Sequence, residues 1–574
     1  MFFFKKKIQY ETMSILLFAN SFLAFIFSVL LLIQNLGLYS CAACILGLAY
    51  SVGLAFFSLE LIRKKNMRGF RYTRLFLSYL IVVLMLAFIL ARLQSETPLY
   101  VMDIVLAVLW FLAVILVFIT LRFISEKRAE HYFPGLILQK ERRSFWKELL
   151  SWVDAIFWAV SHMILLNIFL FQLYEIPSES MVPTFMVKDR VIGFKLSSGP
   201  RFPLSSFRLP RWKTYKRGDV VILRSHRYPQ NKASEFQTIS SQAISMLTLM
   251  QVNTNRDPRT GLPKADPLVK RIVGLPGEKL MLVDGVLYVK SKNDADYHVL
   301  TEDAQYAVWN INELSRELLQ YVRHIPFSND TYTLMLDIEA RRKSVNFRNE
   351  YDEIEKILHS TSLQKNLSDT TTDIDNFLPQ DERSMLKLFQ NDADIARRIF
   401  TINGGLTWLE KFSLSWADFW VSEQADTATL YELRNAQLSV LIKKTFAKLI
   451  LRDLELFKSN TTEAAFQSDS VRSALLREAE EYAIYTELSN GRNMNEFPKD
   501  GYLKQDEYFL MGDNRFNSMD MRHANQSAPV PLDPYDTNAL IVLSTVFPQA
   551  LPEANILGSA SFIFWPVPRS GTVK

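Results

Sequence analysis

The sequence is organised around a short polar stretch, residues 175–184, which reads Glu-Ile-Pro-Ser-Glu-Ser-Met-Val-Pro-Thr. It begins where a long apolar run ends, so we expect it to lie just outside a membrane. Two serines, Ser178 and Ser180, follow Pro177, which fixes its own φ and restricts the residue before it. Taken alone, such a stretch is typical of a polar turn at a membrane surface, so its meaning depends on the rest of the chain.

Length and composition indicate a multi-domain membrane protein. A chain of 574 residues exceeds one compact core, so several domains are expected. The formal net charge of +5 is small for this length and gives no indication of nucleic-acid binding. Many of the 41 phenylalanines lie in the first third, beside long runs of Leu, Ile and Val. That clustering indicates contact with lipid rather than one large soluble core.

Five apolar segments are each close to the roughly 20 residues needed to cross a bilayer. They lie near residues 15–33, 41–62, 75–91, 101–121 and 152–173. The first follows a basic N-terminus, as in a secretory signal, but it is longer than a cleavable apolar region needs. We therefore predict five permanent transmembrane helices.

Basic residues predict the orientation of these helices. Lys and Arg are concentrated near the N-terminus and in the connections 63–74 and 122–147, whereas the loops 36–40 and 93–100 contain none. Because positive charge is retained on the cytoplasmic side, the N-terminus should be cytoplasmic and the chain from residue 175 onward should lie outside.

The pair Cys41 and Cys44, separated by two alanines, has two interpretations. A membrane thiol oxidoreductase would use such spacing, but a second cysteine pair to exchange with is absent. Redox cysteines also need basic neighbours that lower the thiol pKa, and none is near in sequence. Close helix packing through small residues, with or without an incidental disulfide, fits the pattern better.

Beyond the fifth apolar segment, the pattern changes to short strands. The runs 218–223, 507–511 and 559–565 are typical of strands, and Asp284-Gly285 between two apolar runs is a strong hairpin signal. From about 303 to 495 this pattern stops, and helix formers at 3.6-residue spacing replace it, with almost no glycine. We predict a mostly-β domain with an inserted all-α domain, in which we find no ligand motif.

The predicted organisation has six parts. They are a four-helix transmembrane region (1–125), a cytoplasmic basic connection (126–150), a fifth transmembrane helix (151–174), a first β part (175–302), the helical insert (303–495) and a second β part (496–574).

Two later blocks add possible chemistry to the serines, Lys270 to Gly277 and Gly512 to Arg522. A serine hydroxyl is a weak nucleophile until a base removes its proton, and none of the seven histidines has a nucleophile-motif context. A lysine can act as the base if burial lowers its pKa. Lys270 lies in a run suited to a buried strand, and its neighbour Arg271 should face the opposite side and find an acidic partner.

These three blocks, in this order and behind a membrane anchor, resemble the type I signal peptidases, which are membrane-bound Ser-Lys proteases of bacteria. The resemblance covers roughly residues 150–302 and 500–568. It implies that Ser180 is the nucleophile and Lys270 the general base. It also implies that the Ser178 hydroxyl and the Ser180 N–H hold the oxyanion, and that Ser518 hydrogen-bonds and positions the lysine.

The resemblance further implies a supporting shell of charged residues. Asp520 and Arg522 match a buried ion-pair network that Arg271 would join, and Asp513 and Arg515 would brace the turn behind the site. Asp520 and Arg522 could equally be purely structural in an active enzyme.

The resemblance also bears on substrate, partners and place. Pockets for small substrate side chains would be lined by Ile176, Met181, Val191 and Leu268. Expected partners are exported preproteins, cut after small-x-small sites, the bilayer and, as a candidate, the export machinery. No metal, cofactor or nucleic acid is expected. The protein should reside in the bacterial inner membrane, with its catalytic domain outside.

Three departures from the family pattern leave substrate preference and loop shape open. Glu179 stands where glycine is common and places a carboxylate beside the nucleophile, while Phe516 and Met521 replace a common aspartate and serine. None removes a catalytic group. A catalytically silent homologue that binds a partner through its helical insert is the main alternative, and the thiol oxidoreductase is the second.

Overall fold

The computed structural model describes residues 2–573, with gaps. The gaps are 35–36, 95–99, most of 126–144, 226–227, 229–230, 249–250, 253, 258–260, 262–263, 265–266, 360–376, 403 and 525. The basic connection predicted over 126–150 therefore lies mostly outside the described residues.

The N-terminal region is a bundle of long apolar helices. Its members are α1 (Phe2–Gln34), α2 (Leu38–Lys64), α3 (Met67–Gln94) and α4 (Tyr100–Phe123), followed by α5 (Phe145–Phe169). In the described part of the chain, these five are long and apolar enough to cross a membrane. Helices α1 to α4 pack on one another around a shared apolar core, whereas the apolar stretch of α5 is not buried by protein. The predicted helical bundle is confirmed.

Helix α5 differs from its predicted bounds, 151–174. It begins six residues earlier, and the chain from Phe171 to Glu175 is strand β1, antiparallel to β2 (Arg190–Phe194). The backbone of these residues forms ladder hydrogen bonds with β2, which replace the intrahelical bonds of another turn. As a result, the outer region is joined to the membrane helix by a single residue, Leu170.

A loop of the outer region docks into the top of the helical bundle. Phe202 packs edge-on against Phe88 and Trp110, with ring centroids 5.6 and 5.9 Å apart. Beneath it, Arg92 of α3 and Asp103 of α4 form a fully buried ion pair at 3.1 Å, and the Asp103 carboxylate also accepts a hydrogen bond from Ser205. Buried charges inside a bundle are stable only when paired, so this contact fixes the bundle to the outer region.

The outer region is built on an eight-stranded sheet. Its order is β1-β2-β13-β3-β4-β9-β12, with β14 pairing with β13. The remaining strands of this sheet are β3 (Val220–Leu223), β4 (Leu268–Gly274), β9 (Glu507–Met511), β12 (Leu551–Pro552), β13 (Ile556–Trp565) and β14 (Gly571–Thr572). Strand β4 is central, and its last five residues are buried. The mostly-β region is confirmed.

A smaller sheet has the order β7-β6-β5-β8. Its strands are β5 (Glu278–Val283), β6 (Val286–Ser291), β7 (His298–Val299) and β8 (Met494–Phe497). The turn between β5 and β6 has positive φ at both Asp284 (50°) and Gly285 (81°), which matches the twist of a two-residue hairpin. The predicted hairpin is confirmed. Elsewhere, residues 232–247 form helix α6, which packs against α5.

The segment between β7 and β8 is helical for most of its described length. Its helices are α7 (Arg316–Leu319), α8 (Asn329–Lys343), α9 (Phe347–His359), α10 (Met385–Gln390), α11 (Asp392–Thr401), α12 (Gly405–Leu414), α13 (Ala417–Trp420), α14 (Leu430–Lys458), α15 (Glu463–Gln467) and α16 (Ser470–Ser489). They surround the buried face of α14.

A hairpin from the C-terminal part of the chain completes this helical core. Strands β10 (Ala528–Pro531) and β11 (Ile541–Ser544) pair antiparallel, and Leu532 and Leu540 between them are buried in the helical cluster. The Trp420 indole donates a hydrogen bond to Asp533 at 2.8 Å. The sequence places these residues in the second β part, because nothing local reveals a contact made across a hundred positions. The boundaries 303 and 495 of the insert stay predictions.

Candidate active site

The polar stretch that opens the outer region is a compact loop between β1 and β2. Its two ends are joined by backbone hydrogen bonds, from Ile176 N to Asp189 O and from Lys188 N to Ile176 O, both 2.8 Å. The Asp189 carboxylate caps the Met186 N–H inside the loop and pairs with Arg569 at 2.9 Å. The loop is therefore closed at its base, and Ser180 lies at the opposite, half-buried end.

Ser180 and Lys270 are brought together from positions ninety residues apart. The Lys270 Nζ lies 2.8 Å from the Ser180 Oγ and 3.0 Å from the Val269 carbonyl oxygen. Lys270 is on the central strand β4, opposite Val221 of β3, and only 2% of its surface is exposed. A nearly buried amine in contact with a serine hydroxyl is the arrangement needed for proton transfer between the two groups.

Ser178 lies on the solvent side of the same loop. Its hydroxyl is exposed and 3.4 Å from the Ser180 Oγ. Two hydroxyls and one amine thus lie within a short distance on one surface. The Ser178 hydroxyl is free to rotate toward a negative charge that develops beside Ser180.

Arg271, the neighbour of Lys270 along β4, points to the opposite face. Its guanidinium forms two hydrogen bonds to the Asp513 carboxylate, 2.8 and 2.7 Å long, and one of 3.0 Å to the Thr184 hydroxyl. Thr184 in turn donates to Asp513 at 2.5 Å. The Tyr306 ring covers the guanidinium, and the Arg271 Cζ lies 3.7 Å from the centroid of that ring. The acidic partner expected for Arg271 is therefore Asp513, and the pair fixes the far end of the loop that carries Ser180.

The structure corrects the predicted link between Arg271 and Asp520. Asp520 instead forms a buried pair with Arg522, 2.9 Å apart, and accepts a hydrogen bond from the Gly512 N–H. Arg522 and these hydrogen bonds hold the pKa of Asp520 well below its usual range, despite burial. Arg271 instead pairs with Asp513, which lies two residues beyond the end of β9, the strand beside β4.

Arg515 has a partner that the sequence did not suggest. Its guanidinium forms two hydrogen bonds, of 2.8 and 2.5 Å, to Asp303, and both side chains are buried. Asp303 lies at the start of the predicted helical insert. A few residues later, however, Val308 forms a β-bridge with Asn514, which belongs to the site. The chain therefore crosses the back of the site before the helices begin.

Ser518 does not hold Lys270 as the resemblance implies. Its buried Oγ has no hydrogen-bonding partner in the described part of the chain. It instead packs on Gly512, where a Cβ would lie 2.1 Å from that Oγ and 2.4 Å from the Ser180 carbonyl oxygen. A glycine at position 512 thus allows the backbone to lie close to Ser518 and to Ser180. In the sequence, only the residue type of Gly512 points to this role.

Glu179 has a role that sequence analysis missed. Its carboxylate is buried and turned away from Ser180, where it accepts hydrogen bonds from the backbone N–H groups of Arg323 and His324, the second 3.3 Å long. Asn514 supports the same point from the other side, because its side chain donates to the Glu179 carbonyl oxygen at 3.1 Å. The residue before Ser180 therefore ties the loop to the segment after α7.

The residues suggested as pocket lining fall into two groups. Ile176, Met181 and Val191 belong to one buried cluster under the loop that carries Ser180, each no more than 3% exposed. Leu268 packs against a different cluster, on the side of β5 and β9. The first three residues thus share one buried cluster, and Leu268 does not join it.

Two of the sequence departures make apolar contacts, Phe516 partly buried and Met521 fully buried. Phe516 stacks edge-on with Phe327 and Trp309, so it joins the site to the helical region, and Met521 is buried in the β core. Cys41 and Cys44 are free cysteines. No cluster of His, Cys, Asp and Glu that could hold a metal ion occurs among the described residues.

Comparison with known proteins points to one family. The family model described as "Signal peptidase, peptidase S26" matches residues 149–340 and 460–565, just over half of the chain. These segments contain Ser178, Ser180, Lys270 and the 512–522 block. The residues between them, 341–459, are unmatched and correspond to much of the helical core.

Two curated relatives agree with this match. A protein named "Signal peptidase I" from Buchnera aphidicola subsp. Baizongia pistaciae is 24% identical over 216 residues, which cover 36% of this chain and 54% of that protein. Another of the same name, from Buchnera aphidicola subsp. Schizaphis graminum, is 23% identical over 176 residues, covering 30% and 43%. The chain thus spans about half the length of the curated relatives it matches.

Proposed function

Since the chain belongs to the signal peptidase family, peptidase S26, we propose that it is a membrane-bound serine endopeptidase that removes signal peptides from exported preproteins. The observation that carries this proposal is the 2.8 Å contact between Lys270 Nζ and Ser180 Oγ, formed between a buried lysine and a serine on a fixed loop. The relatives' names and the apolar helices support the same class of substrate.

In the proposed reaction, neutral Lys270 accepts the proton of Ser180 as the serine oxygen attacks the carbonyl carbon of the scissile peptide bond. The resulting oxyanion is held by the Ser180 N–H and the Ser178 hydroxyl. The lysine then gives its proton to the leaving amine, the C–N bond breaks and an acyl-enzyme remains. Water, deprotonated by the same lysine, hydrolyses the ester and restores Ser180.

The surroundings of the pair explain how the lysine could act as a base. Arg271, next in sequence, is on the opposite face of β4 and neutralised by Asp513, so it contributes little to the charge near Lys270. Burial disfavours the ammonium form of a lysine in general. Strand β4 therefore supplies both an amine facing the nucleophile and an anchor for the loop that carries it.

The substrate proposal follows from the floor of the site. We take Ile176, Met181 and Val191, which form one buried apolar cluster beneath the loop, as the floor of the substrate site. We therefore assign to this surface the small residues that precede a signal-peptide cleavage site. Confinement of enzyme and substrate to one bilayer would raise their effective concentration.

The arrangement in the membrane is proposed from charge. The N-terminus and the basic connections lie on the cytoplasmic side, five helices cross, and the β region with Ser180 lies outside. Contact with the protein-export machinery is part of the same proposal. The helical insert is the candidate surface for such a partner.

The test is cleavage of a model preprotein by purified full-length protein in liposomes. Wild type should cut after a small-x-small site, and Ser180→Ala and Lys270→Ala should each remove the activity. Ser206→Ala and Lys216→Ala, at exposed positions of the same region, are matched controls that should cut normally. Failure of folded wild type to cut any of several preproteins would favour a catalytically silent homologue instead.

A further inference from the structure

A short loop of the helical insert lies against the loop that carries Ser180. It comprises residues 313–326, contains helix α7, and is called the flanking loop below. Its base is closed, because the Asn312 side chain donates a 3.2 Å hydrogen bond to the Phe327 carbonyl oxygen. Ile311 and Phe327, on either side of the loop, are buried. Compact surface loops whose ends meet in this way are frequently functional.

The flanking loop is fixed to the site at its far end and at its base. At the far end, the backbone N–H groups of Arg323 and His324 donate hydrogen bonds to the buried carboxylate of Glu179, which directly precedes the proposed nucleophile. At the base, Phe327 packs edge-on against Phe516, with ring centroids 4.6 Å apart. The loop is therefore held in place beside the reacting groups.

The apolar side chains of the flanking loop are not buried in the core. All of residues 312–326 are described by the structure, and each of them is exposed or half-buried. Tyr321 and Ile325 are 41% and 48% exposed, and Leu318 and Val322 are half-buried. Single exposed apolar side chains are ordinary on a protein surface, whereas a group of them in one short segment indicates an interaction site.

The exposed side chains are within reach of a bound substrate. Tyr321 and Ile325 lie two residues and one residue from the N–H groups that Glu179 holds, which is at most about 7 Å along the backbone. A peptide bound in an extended form covers about 3.3 Å per residue. A polypeptide that crosses Ser180 therefore needs only a few residues on this side to meet the flanking loop.

We propose that the flanking loop is a binding surface for the preprotein beside the scissile bond, with Tyr321 and Ile325 in apolar contact with the substrate chain. This inference rests on the proposed proteolytic function and assigns part of its substrate binding to the insert. Apolar side chains of the substrate and of the loop leave water when they meet. Because these contacts form when substrate binds, they strengthen binding rather than the chemical step.

Kinetics of the full-length protein in liposomes test this inference. In Tyr321→Ala/Ile325→Ala, we expect KM for a model preprotein to rise about tenfold and kcat to change by less than about twofold, because only apolar burial of substrate is lost. Phe400→Ala/Val471→Ala is the matched control, since these side chains are 53% and 50% exposed on α11 and α16. The control and the conservative Tyr321→Phe/Ile325→Val should both keep the wild-type KM.

Photocrosslinking gives a readout that does not require cleavage. Benzoylphenylalanine is placed at position 321 or, as the control, at position 400 of the full-length Ser180→Ala protein. Irradiation in the presence of the model preprotein should yield a covalent complex from position 321 and none from position 400. Absence of a crosslink from position 321 would contradict the inference.

The kinetic outcomes separate this inference from the proposed function. Wild type that cuts the preprotein, together with an unchanged KM in Tyr321→Ala/Ile325→Ala, would overturn the inference and leave the proposed function intact. A fall in kcat at constant KM would also overturn it, because the flanking loop would then only support the loop that carries Ser180. If folded wild type cuts no preprotein, the proposed function fails, and the crosslink from position 321 alone decides whether the flanking loop binds the polypeptide.

Discussion

Two buried sets of charges, one behind the site and one in the helical region, are balanced differently. The site network consists of three pairs, Arg271–Asp513, Arg515–Asp303 and Arg522–Asp520. The insert network consists of Arg472 with Asp453 and Asp392, and Lys443 with Asp536 near Asp533. The first set has one cation per carboxylate, whereas the second has two carboxylates per cation.

The difference in balance appears in the pKa values. Arg522 lowers the pKa of Asp520, so this carboxylate stays charged in any ordinary buffer. In contrast, burial and then the charge of Asp392 raise the pKa of Asp453 to about 7. Burial chiefly raises the pKa of Asp533 to about 6. Behind the site, Asp520 is therefore held in its charged form, whereas the helical core contains two carboxylates, Asp453 and Asp533, whose pKa values are raised.

The largest effect on stability is expected from breaking the site network at Arg271→Met. The Asp513 carboxylate would be left buried without its cation, which should lower the free energy of unfolding by about 3–5 kcal/mol. Denaturant unfolding of the purified protein measures this. The matched control is Arg190→Met, whose pair with Glu175 is half exposed and should contribute at most about 1 kcal/mol. Equal losses in both variants would contradict the comparison.

Glu179→Ala should have the next largest effect. It leaves the N–H groups of Arg323 and His324 without their acceptor, so we expect a loss of about 2 kcal/mol in stability. We also expect cleavage to slow by about tenfold, because the nucleophile loop loses its tie to the helical region. The control is Glu175→Ala, at an exposed position at the end of β1, just before the loop. Unchanged cleavage by Glu179→Ala would show that this tie does not position Ser180.

The insert network should make stability depend on pH. Folded Asp453 titrates at about 7 and its unfolded form at about 3.8, so the folded state binds more protons between these values. Stability should thus rise as the pH falls from 8 to 5. We would measure the denaturant midpoint of unfolding at pH 5 and at pH 8. Asp453→Asn should make the difference between these two midpoints smaller, and Asp533→Asn should also make it smaller. An unaltered difference in Asp453→Asn would contradict the assignment.

Ser518→Ala is expected to have the smallest effect. Since the Ser518 hydroxyl has no partner in the described part of the chain, its removal should change kcat/KM by less than about threefold. Ser180→Ala under the same conditions gives the lower limit of activity. A loss of more than about tenfold would show that Ser518 turns toward Lys270 when substrate binds.

Much of the site could be predicted because its signals are local. The spacing of the two serines, the lysine within an apolar run, and the alternation that sends Arg271 to the opposite face are all visible in a few residues. The five apolar helices are equally local, since their length is set by the bilayer.

The remaining features depend on contacts between distant residues. No pattern around Asp303 indicates that it pairs with Arg515, and none around Glu179 indicates that it binds a backbone segment beyond residue 320. Likewise, Leu532 and Leu540 resemble loop residues but complete a helical core. Periodicity identifies secondary structure, whereas the choice of a partner depends on the whole fold.

The central claim, that Ser180 and Lys270 act as one unit, is tested most directly by combining their substitutions. We would measure kcat/KM on a model preprotein for Ser180→Ala, Lys270→Ala and the double variant. We expect each single variant to lose about four orders of magnitude or more in kcat/KM, and the double variant to lose no more than either. A Lys270→Ala protein that retains activity, or a double variant that multiplies the two losses, would contradict it.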